Sequence, residues 1–311
     1  PEQAPDVRNK NFEEVALGYT AEMAMEEAAR CLNCKNKPCV SGCPVNVPIP
    51  GFIEKVAEGD FEAAYEIITS ENALPAICGR VCPQETQCEG KCIRGIKGDP
   101  ISIGKLERFV ADYSREHGYV PKKPETTNGK KVAIIGGGPA GLSCAYYLAE
   151  KGYRPTVFEK EKQPGGMLMH GIPEFRLEKD VIEAEIDVLR ALGVEFHCGV
   201  EVGRDVTIPE LREQGYKGFY VAIGLQSGGK LGVPGEDAEG VKAGIELMRE
   251  VNLEGKKSLS GRVVVIGGGN IGADVARTAL RCGAEKVSLY CLEDYDSMPM
   301  GCLLYTSPSP R

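Results

Sequence analysis

Eight of the chain's thirteen cysteines fall in two tight groups near its start, Cys31-x2-Cys34-x4-Cys39-x3-Cys43-Pro44 and Cys78-x3-Cys82-Pro83-x5-Cys88-x3-Cys92. Thiolates are soft ligands suited to iron and zinc, and each group holds four of them. In the first group the fourth cysteine is set off by three residues and precedes a proline, a spacing in which it serves a different cluster from its predecessors. The pattern points to two [4Fe–4S] clusters within residues 1–110, and so to the handling of single electrons. Structural zinc also uses C-x2-C pairs, but its ligands usually come as two knuckles with a longer spacer. Disulfides would suit a small secreted chain, whereas this one is long and carries no signal-peptide pattern or membrane-length apolar run.

A second chemistry begins at Lys130. The apolar run Val132–Ile135 leads directly into Gly136-Gly137-Gly138-Pro139-Ala140-Gly141, then a helix through Glu150 and a strand Arg154–Glu159 followed by Lys160. The unit returns about 130 residues later: Val263–Ile266, Gly267-Gly268-Gly269-Asn270-Ile271-Gly272, a helix to Cys282 and a strand Lys286–Tyr290. One G-x-G-x-x-G is weak evidence, but each copy follows a strand, opens a helix and has an acidic residue about 20 positions on. Gly136 permits the tight turn, Gly138 lets the backbone approach a pyrophosphate, and Gly141 lets the helix pack on the strand. Amide N–H groups at the helix start then face the phosphates. Glu159 can accept hydrogen bonds from ribose hydroxyls; Gly267, Gly269, Gly272 and Glu293 hold the matching positions in the second copy. Two such units form an internal duplication, expected to hold FAD first and NAD(P)H second.

Elements must position these groups. Thr20 is expected to cap a helix over 20–31 that delivers Cys31, and Asp60 one through Ile68. Ile103, Leu106, Val110 and Tyr113 line one face of a helix ending near Gly118. Residues 120–129 read as a polar linker. The domain plan is therefore a helical cysteine region (1–119), a linker (120–129), a first dinucleotide region (130–240), and an incomplete second one (241–300) inserted in the first. Between the copies stand Gly166, Met167 and, in Gly171-Ile172-Pro173-Glu174-Phe175-Arg176, Arg176, all candidate cofactor contacts. The stretch 301–311 has no periodicity and is expected to be a non-native tail. With 42% apolar and 26% charged residues among 311, the composition is that of an ordinary soluble protein. A net charge of −8 without a basic stripe excludes a nucleic-acid backbone as partner. Further unpaired-looking cysteines suggest a reducing cytoplasm. Three histidines and no tryptophan leave histidine-centred catalysis poorly supplied, and His170 reads as an ordinary loop residue.

With both cysteine groups, both glycine turns and the Gly171–Leu177 stretch in view, the chain resembles the small (β) subunit family of glutamate synthase. The wider group includes the N-terminal part of dihydropyrimidine dehydrogenase, ferredoxin:NADP transhydrogenase large subunits and sulfide dehydrogenases. The resemblance covers about residues 12–300. It implies an α/β fold with a helical iron–sulfur domain ahead of two Rossmann-like domains, and an NAD(P)H-dependent oxidoreductase passing electrons through FAD and clusters to a large partner subunit. It implies that Cys31, Cys34, Cys39 and Cys92 hold one cluster. Cys43, Cys82, Cys88 and Glu107 would hold the other, leaving Cys78 a spare. NADPH-using relatives carry arginine after the last strand, where this chain has Tyr290-Cys291-Leu292-Glu293; a carboxylate there favours NADH. The resemblance also implies C-terminal truncation, the flavin pocket lacking its closing segment.

Overall fold

A computed structural model describes residues 1–294 and 297–300. After a single turn, α1 (Pro5–Arg8), the chain builds α2 (Ala21–Ala29), α3 (Pro38–Gly42), α4 (Ile49–Glu58), α5 (Phe61–Thr69), α6 (Pro75–Val81) and α7 (Ile103–Glu116). The expected caps form: Thr20 Oγ1 accepts from Met23 N at 3.3 Å, and Asp60 Oδ1 from Ala63 N at 3.2 Å. Gly59, at φ +79°, stops α4 in the left-handed conformation that side chains resist. The α7 face read from the sequence is inward, with Ile103, Leu106 and Val110 buried against Phe52, Ile53 and Ile68. Phe61 meets Phe109 and Tyr113 edge-on at 5.0 and 4.7 Å. Between α6 and α7, rich in glycine and charge, the backbone makes only short 3₁₀ turns, and these carry Cys88 and Cys92.

The pattern then alternates: β1 (Lys131–Ile135), α8 (Pro139–Glu150), β2 (Arg154–Glu159), α9 (Met167–His170), α10 (Lys179–Leu192), β3 (Glu195–Cys198), α11 (Ile208–Glu213) and β4 (Tyr216–Val221). The strands pair in parallel in the order β3-β2-β1-β4, with Ala133 opposite Thr156. Parallel strands need crossovers that cover the sheet, which is why β1 and β2 read as apolar runs without alternation. The chain continues through α12 (Gly244–Glu254), β5 (Arg262–Ile266), α13 (Asn270–Arg281) and β6 (Lys286–Tyr290), β5 and β6 pairing in parallel. The 301–311 stretch lies outside the described residues.

The chain forms two compact units. The first joins Gly18–Gly166 and Lys179–Gly224, so the cysteine helices and the four-stranded sheet belong to one body. The second comprises Glu2–Leu17, Met167–Glu178 and the residues from Leu225 onward. Its core is Met248, Val265 and Val275. Its N-terminal stretch of chain is tied in by Val15 N donating to Phe175 O at 3.0 Å.

Within the first unit, α10 of the sheet side meets α6 of the thiol side. Glu185 Oε1 accepts from Ala76 N at 2.6 Å, at the start of α6, where an amide lacks a helical partner. Burial pushes the Glu185 carboxyl from its ordinary 4.5 to about 8; the Ala76 amide and the Arg80 and Arg115 charges oppose the rise, and Asp112 adds to it. The folded chain thus holds a proton that the unfolded chain releases above pH 4.5. This contribution to stability is complete below about pH 4.5 and is lost as pH rises through about 8. Glu185→Gln keeps the acceptor and removes the buried charge. Urea titrations are expected to show it gaining about 1–2 kcal/mol over the parent at pH 8.5 and little at pH 5. A parallel pH dependence of both proteins would contradict this.

Candidate thiol cages and dinucleotide turns

The end of α2 hands Cys31 to the first loop, its N–H bonded to Ala28 O at 3.0 Å. Cys31, Cys34 and Cys39 face one pocket, and the fourth thiol on its wall is Cys92, from the second sequence group. Ile53 and Ile103 supply apolar walls. Ile101 N donates to Cys92 Sγ at 3.5 Å, an amide–sulfur bond of the kind that supports bound thiolates. Burial pushes Cys31 up and Cys39 up to about 11, and the neighbouring thiols add to both. As neutral thiols the four sit at little cost in an apolar pocket, whereas as thiolates they would repel one another, so a bound cation is what would let them give up their protons.

Cys43, Cys82 and Cys88 gather elsewhere, with Glu107. Burial first, and then the charges of Glu89, Glu107 and Cys43, together push Cys88 up to about 12. Burial likewise pushes Glu107 up to about 8, Cys82 and Glu185 adding to the rise and a hydrogen bond from Asn72 opposing it. Helix α6 brings Cys82 beside α7 because Gly79 lets the two backbones touch: a Cβ there would stand 2.6 Å from Arg108 N. Arg80 locks the pair, donating to both Asp112 oxygens at 2.9 Å. Cys78 is not remote from this group, since its sulfur lies beside that of Cys82. Among the described residues no three His, Cys, Asp or Glu side chains converge closely enough for a single metal ion.

The two glycine turns repeat one geometry. Gly136 and Gly267 have φ +108° and +124°, open only to glycine. A Cβ on Gly141 would overlap the Gly136 carbonyl oxygen, and one on Gly272 that of Gly267. Gly138 and Gly269 are the N-caps of α8 and α13, so Pro139, Ala140, Asn270 and Ile271 form the first helical turns. These two open outward: nothing lies nearer than 3.9 Å to a Cβ on Gly138, and nothing within 4 Å of one on Gly269. Helix N-termini with such clearance fit a pyrophosphate. Glu159 is buried, its Oε2 accepting from Gly137 N at 2.7 Å and its Oε1 from Glu161 N at 2.9 Å. Lys160 beside it is exposed. The Gly165–Gly166 loop closes on the same turn, Gly165 N donating to Gly137 O at 2.7 Å. In the second copy Glu293 is exposed and lies beside its turn, with Oε2 3.4 Å from the Cβ position of Gly268.

Met167 and Arg176 belong to the second unit. There Arg176 pairs with buried Asp274 of α13 at 2.6 Å. Arg281 is engaged internally. It donates to Asn11 O at 2.7 Å and Arg8 O at 2.5 Å and stacks 3.9 Å over Phe175. His170 is buried in α9, and its carbonyl accepts from Asn252 Nδ2 at 2.8 Å. Asn72, Gly79 and Glu185 carry no motif signal; only tertiary contact reveals them.

Residues 8–119 match the family model described as dihydropyrimidine dehydrogenase domain II, 4Fe-4S cluster, and residues 130–296 match pyridine nucleotide-disulphide oxidoreductase. The chain is 40% identical over 316 aligned positions to a glutamate synthase [NADPH] small chain of Halomonas elongata, covering 96% of this chain and 66% of that one. It is 38% identical to the NAD-dependent dihydropyrimidine dehydrogenase subunit PreT of Escherichia coli K12, covering 95% and 71%. The glutamate synthase [NADPH] small chain of the same strain is 36% identical, with 96% and 66% covered. The chain thus spans about two thirds of the length of these relatives. The two thiol cages, the paired glycine turns and these matches agree: the chain belongs to the pyridine nucleotide-disulphide oxidoreductase family, among the NAD(P)H-dependent FAD/iron–sulfur members that include the glutamate synthase small chains.

Proposed function

We propose that this protein is a glutamate synthase small-subunit-like oxidoreductase that oxidises NAD(P)H and delivers the electrons to a large partner subunit making glutamate, in the cytoplasm. The observation that carries this is the single compact body formed by the thiol helices and the first dinucleotide fold. In it Tyr147 of α8 lies near Cys78 of α6. When bound, FAD would take a hydride, two electrons and a proton, from NAD(P)H, and two [4Fe–4S] clusters would pass the electrons on singly. Cys31, Cys34, Cys39 and Cys92 hold one cluster; Cys43, Cys82, Cys88 and Glu107 hold the other. Gly136, Gly138 and Gly141, with the first turn of α8, cradle the FAD pyrophosphate, and Glu159 accepts from its ribose. Gly267, Gly269 and Gly272, with the start of α13, do the same for the coenzyme. No histidine is needed, because hydride transfer asks for stacking and orientation rather than an acid or base.

Glu293 favours a second reading within the same class, an NADH-using electron-input subunit of the dihydropyrimidine dehydrogenase type. A carboxylate beside the turn accepts from a free ribose 2′-hydroxyl and repels a 2′-phosphate. Anaerobic flavin reduction is expected to be at least about tenfold more efficient with NADH than with NADPH, a difference of about 1.4 kcal/mol. Glu293→Ala should narrow the gap, and faster reduction by NADPH would reject this coenzyme assignment. The overall function is tested by anaerobic purification with metal analysis and identification of the bound partner. Iron and labile sulfide in equal amounts support it; zinc without sulfide overturns it.

A further inference from the structure

Asn72 lies buried in the turn between α5 and α6. Leu74 N approaches its side chain at 3.1 Å. An N–H can be received only by the amide oxygen, so Oδ1 must face Leu74 and the amide cannot be turned over. That orientation aims Nδ2 at Glu107, and it donates to Oε1 at 2.6 Å. The same Oδ1 lies 3.5 Å from the Cys78 sulfur and accepts from its S–H. One amide thus grips two residues beside Cys82 in opposite senses, as donor to a carboxylate and as acceptor from a thiol.

We propose that Asn72 is a positioning residue that selects the fourth ligand of the second cluster, presenting Glu107 to iron and holding Cys78 back as a thiol. This rests on the ligand assignment proposed above. Five groups compete for four positions there: Cys43, Cys78, Cys82, Cys88 and Glu107. Thiolate is the softer and ordinarily preferred iron ligand, so a neighbouring cysteine should displace a carboxylate unless something restrains it. The backbone cannot supply that restraint, because the contact of Gly79 with Arg108 keeps α6, and Cys78 with it, beside α7. The choice falls to side chains. A donor on one carboxylate oxygen is a strong, charge-assisted bond that leaves the other oxygen for the metal.

The test uses the full chain, purified anaerobically, with iron per chain and low-temperature EPR of the dithionite-reduced protein as readouts. With Asn72 in place, Cys78→Ser is expected to leave iron and both signals unchanged, and Glu107→Ala to alter the second signal alone. Asn72→Asp keeps the size and the acceptor for Leu74 but turns an oxygen onto Glu107. In that background the dependence should invert: Cys78→Ser loses about half of the iron, and Glu107→Ala becomes silent. If Asn72→Asp does not accumulate folded, Asn72→Ala is the substitute. It should give two overlapping second-cluster signals that Cys78→Ser reduces to one. Asn72 variants that lose thermal stability but keep the parental signals and the parental dependence on Glu107 overturn the proposal. A Glu107→Ala protein with both signals unchanged rejects the ligand assignment itself, and the role of Asn72 with it.

Discussion

Replacing Cys92 by alanine is expected to remove about half of the iron and sulfide from the anaerobically purified protein, although Cys92 belongs by sequence to the other cysteine group. The pocket explains why. Cys92 completes a ring with Cys31, Cys34 and Cys39, some 60 residues upstream, and receives the Ile101 amide. Three thiols without the fourth leave the centre open to oxygen and loss. The effect should reach stability as well. The chain between Cys82 and Ile101 has only 3₁₀ turns of its own, so a ligand bond through Cys92 would be a main tie holding it against α2 and α7. A drop in melting temperature of about 5 °C or more is expected, since binding energy at such sites is folding energy. Cys144→Ala, on α8, is the control and should leave iron unchanged. Full iron content in the Cys92 variant would refute the shared pocket.

The second large effect separates two glycines three residues apart. Gly138→Ala is expected to leave the fold's stability nearly unchanged while weakening FAD binding by about 100-fold, near 2.7 kcal/mol. At Gly138 the backbone is extended, φ −76°, and an added methyl meets no protein atom nearer than 3.9 Å. The methyl would occupy space that a pyrophosphate needs, and nothing else. Gly141→Ala should instead cost the folded state about 3 kcal/mol or more, because its Cβ would overlap the Gly136 carbonyl and force α8 off β1. Thermal melts and flavin titrations of the two variants distinguish these roles. Equal loss of stability in both would mean that Gly138 serves packing rather than a ligand.

Much of the fold is legible in the residue order. The four β-branched or apolar residues Val132–Ile135 running into Gly-Gly-Gly can be little but a buried parallel strand entering a tight turn, and the strand spans Lys131–Ile135. The strand Lys286–Tyr290 and the caps Thr20 and Asp60 are equally readable, because each is set by local patterning or by a side chain three residues from its partner. The helix expected over 20–31 closes instead at Ala29, since the chain must turn there to present Cys31. The end of a helix is decided by the tertiary role of the residues beyond it, and periodicity does not report that.

The amino-acid order by itself determined that thiols gather near the start and that two glycine turns open two helices. Ligand type and backbone sterics act over a few residues, and both are written in local spacing. The family resemblance already puts Cys92 with Cys31, and the tertiary structure sets it on that pocket's wall; only the tertiary structure decided that Cys78 stands beside Cys82 and that Asn72 bridges Cys78 to Glu107. It also decided that the thiol helices and the first sheet are one body, sealed by the buried carboxyl of Glu185 on the amide of Ala76. Those pairings join residues from 4 to over 100 positions apart through helix packing at Gly79, Arg80 and Asp112. The energies that select them arise from burial and hydrogen-bond geometry, which exist only once the chain has folded.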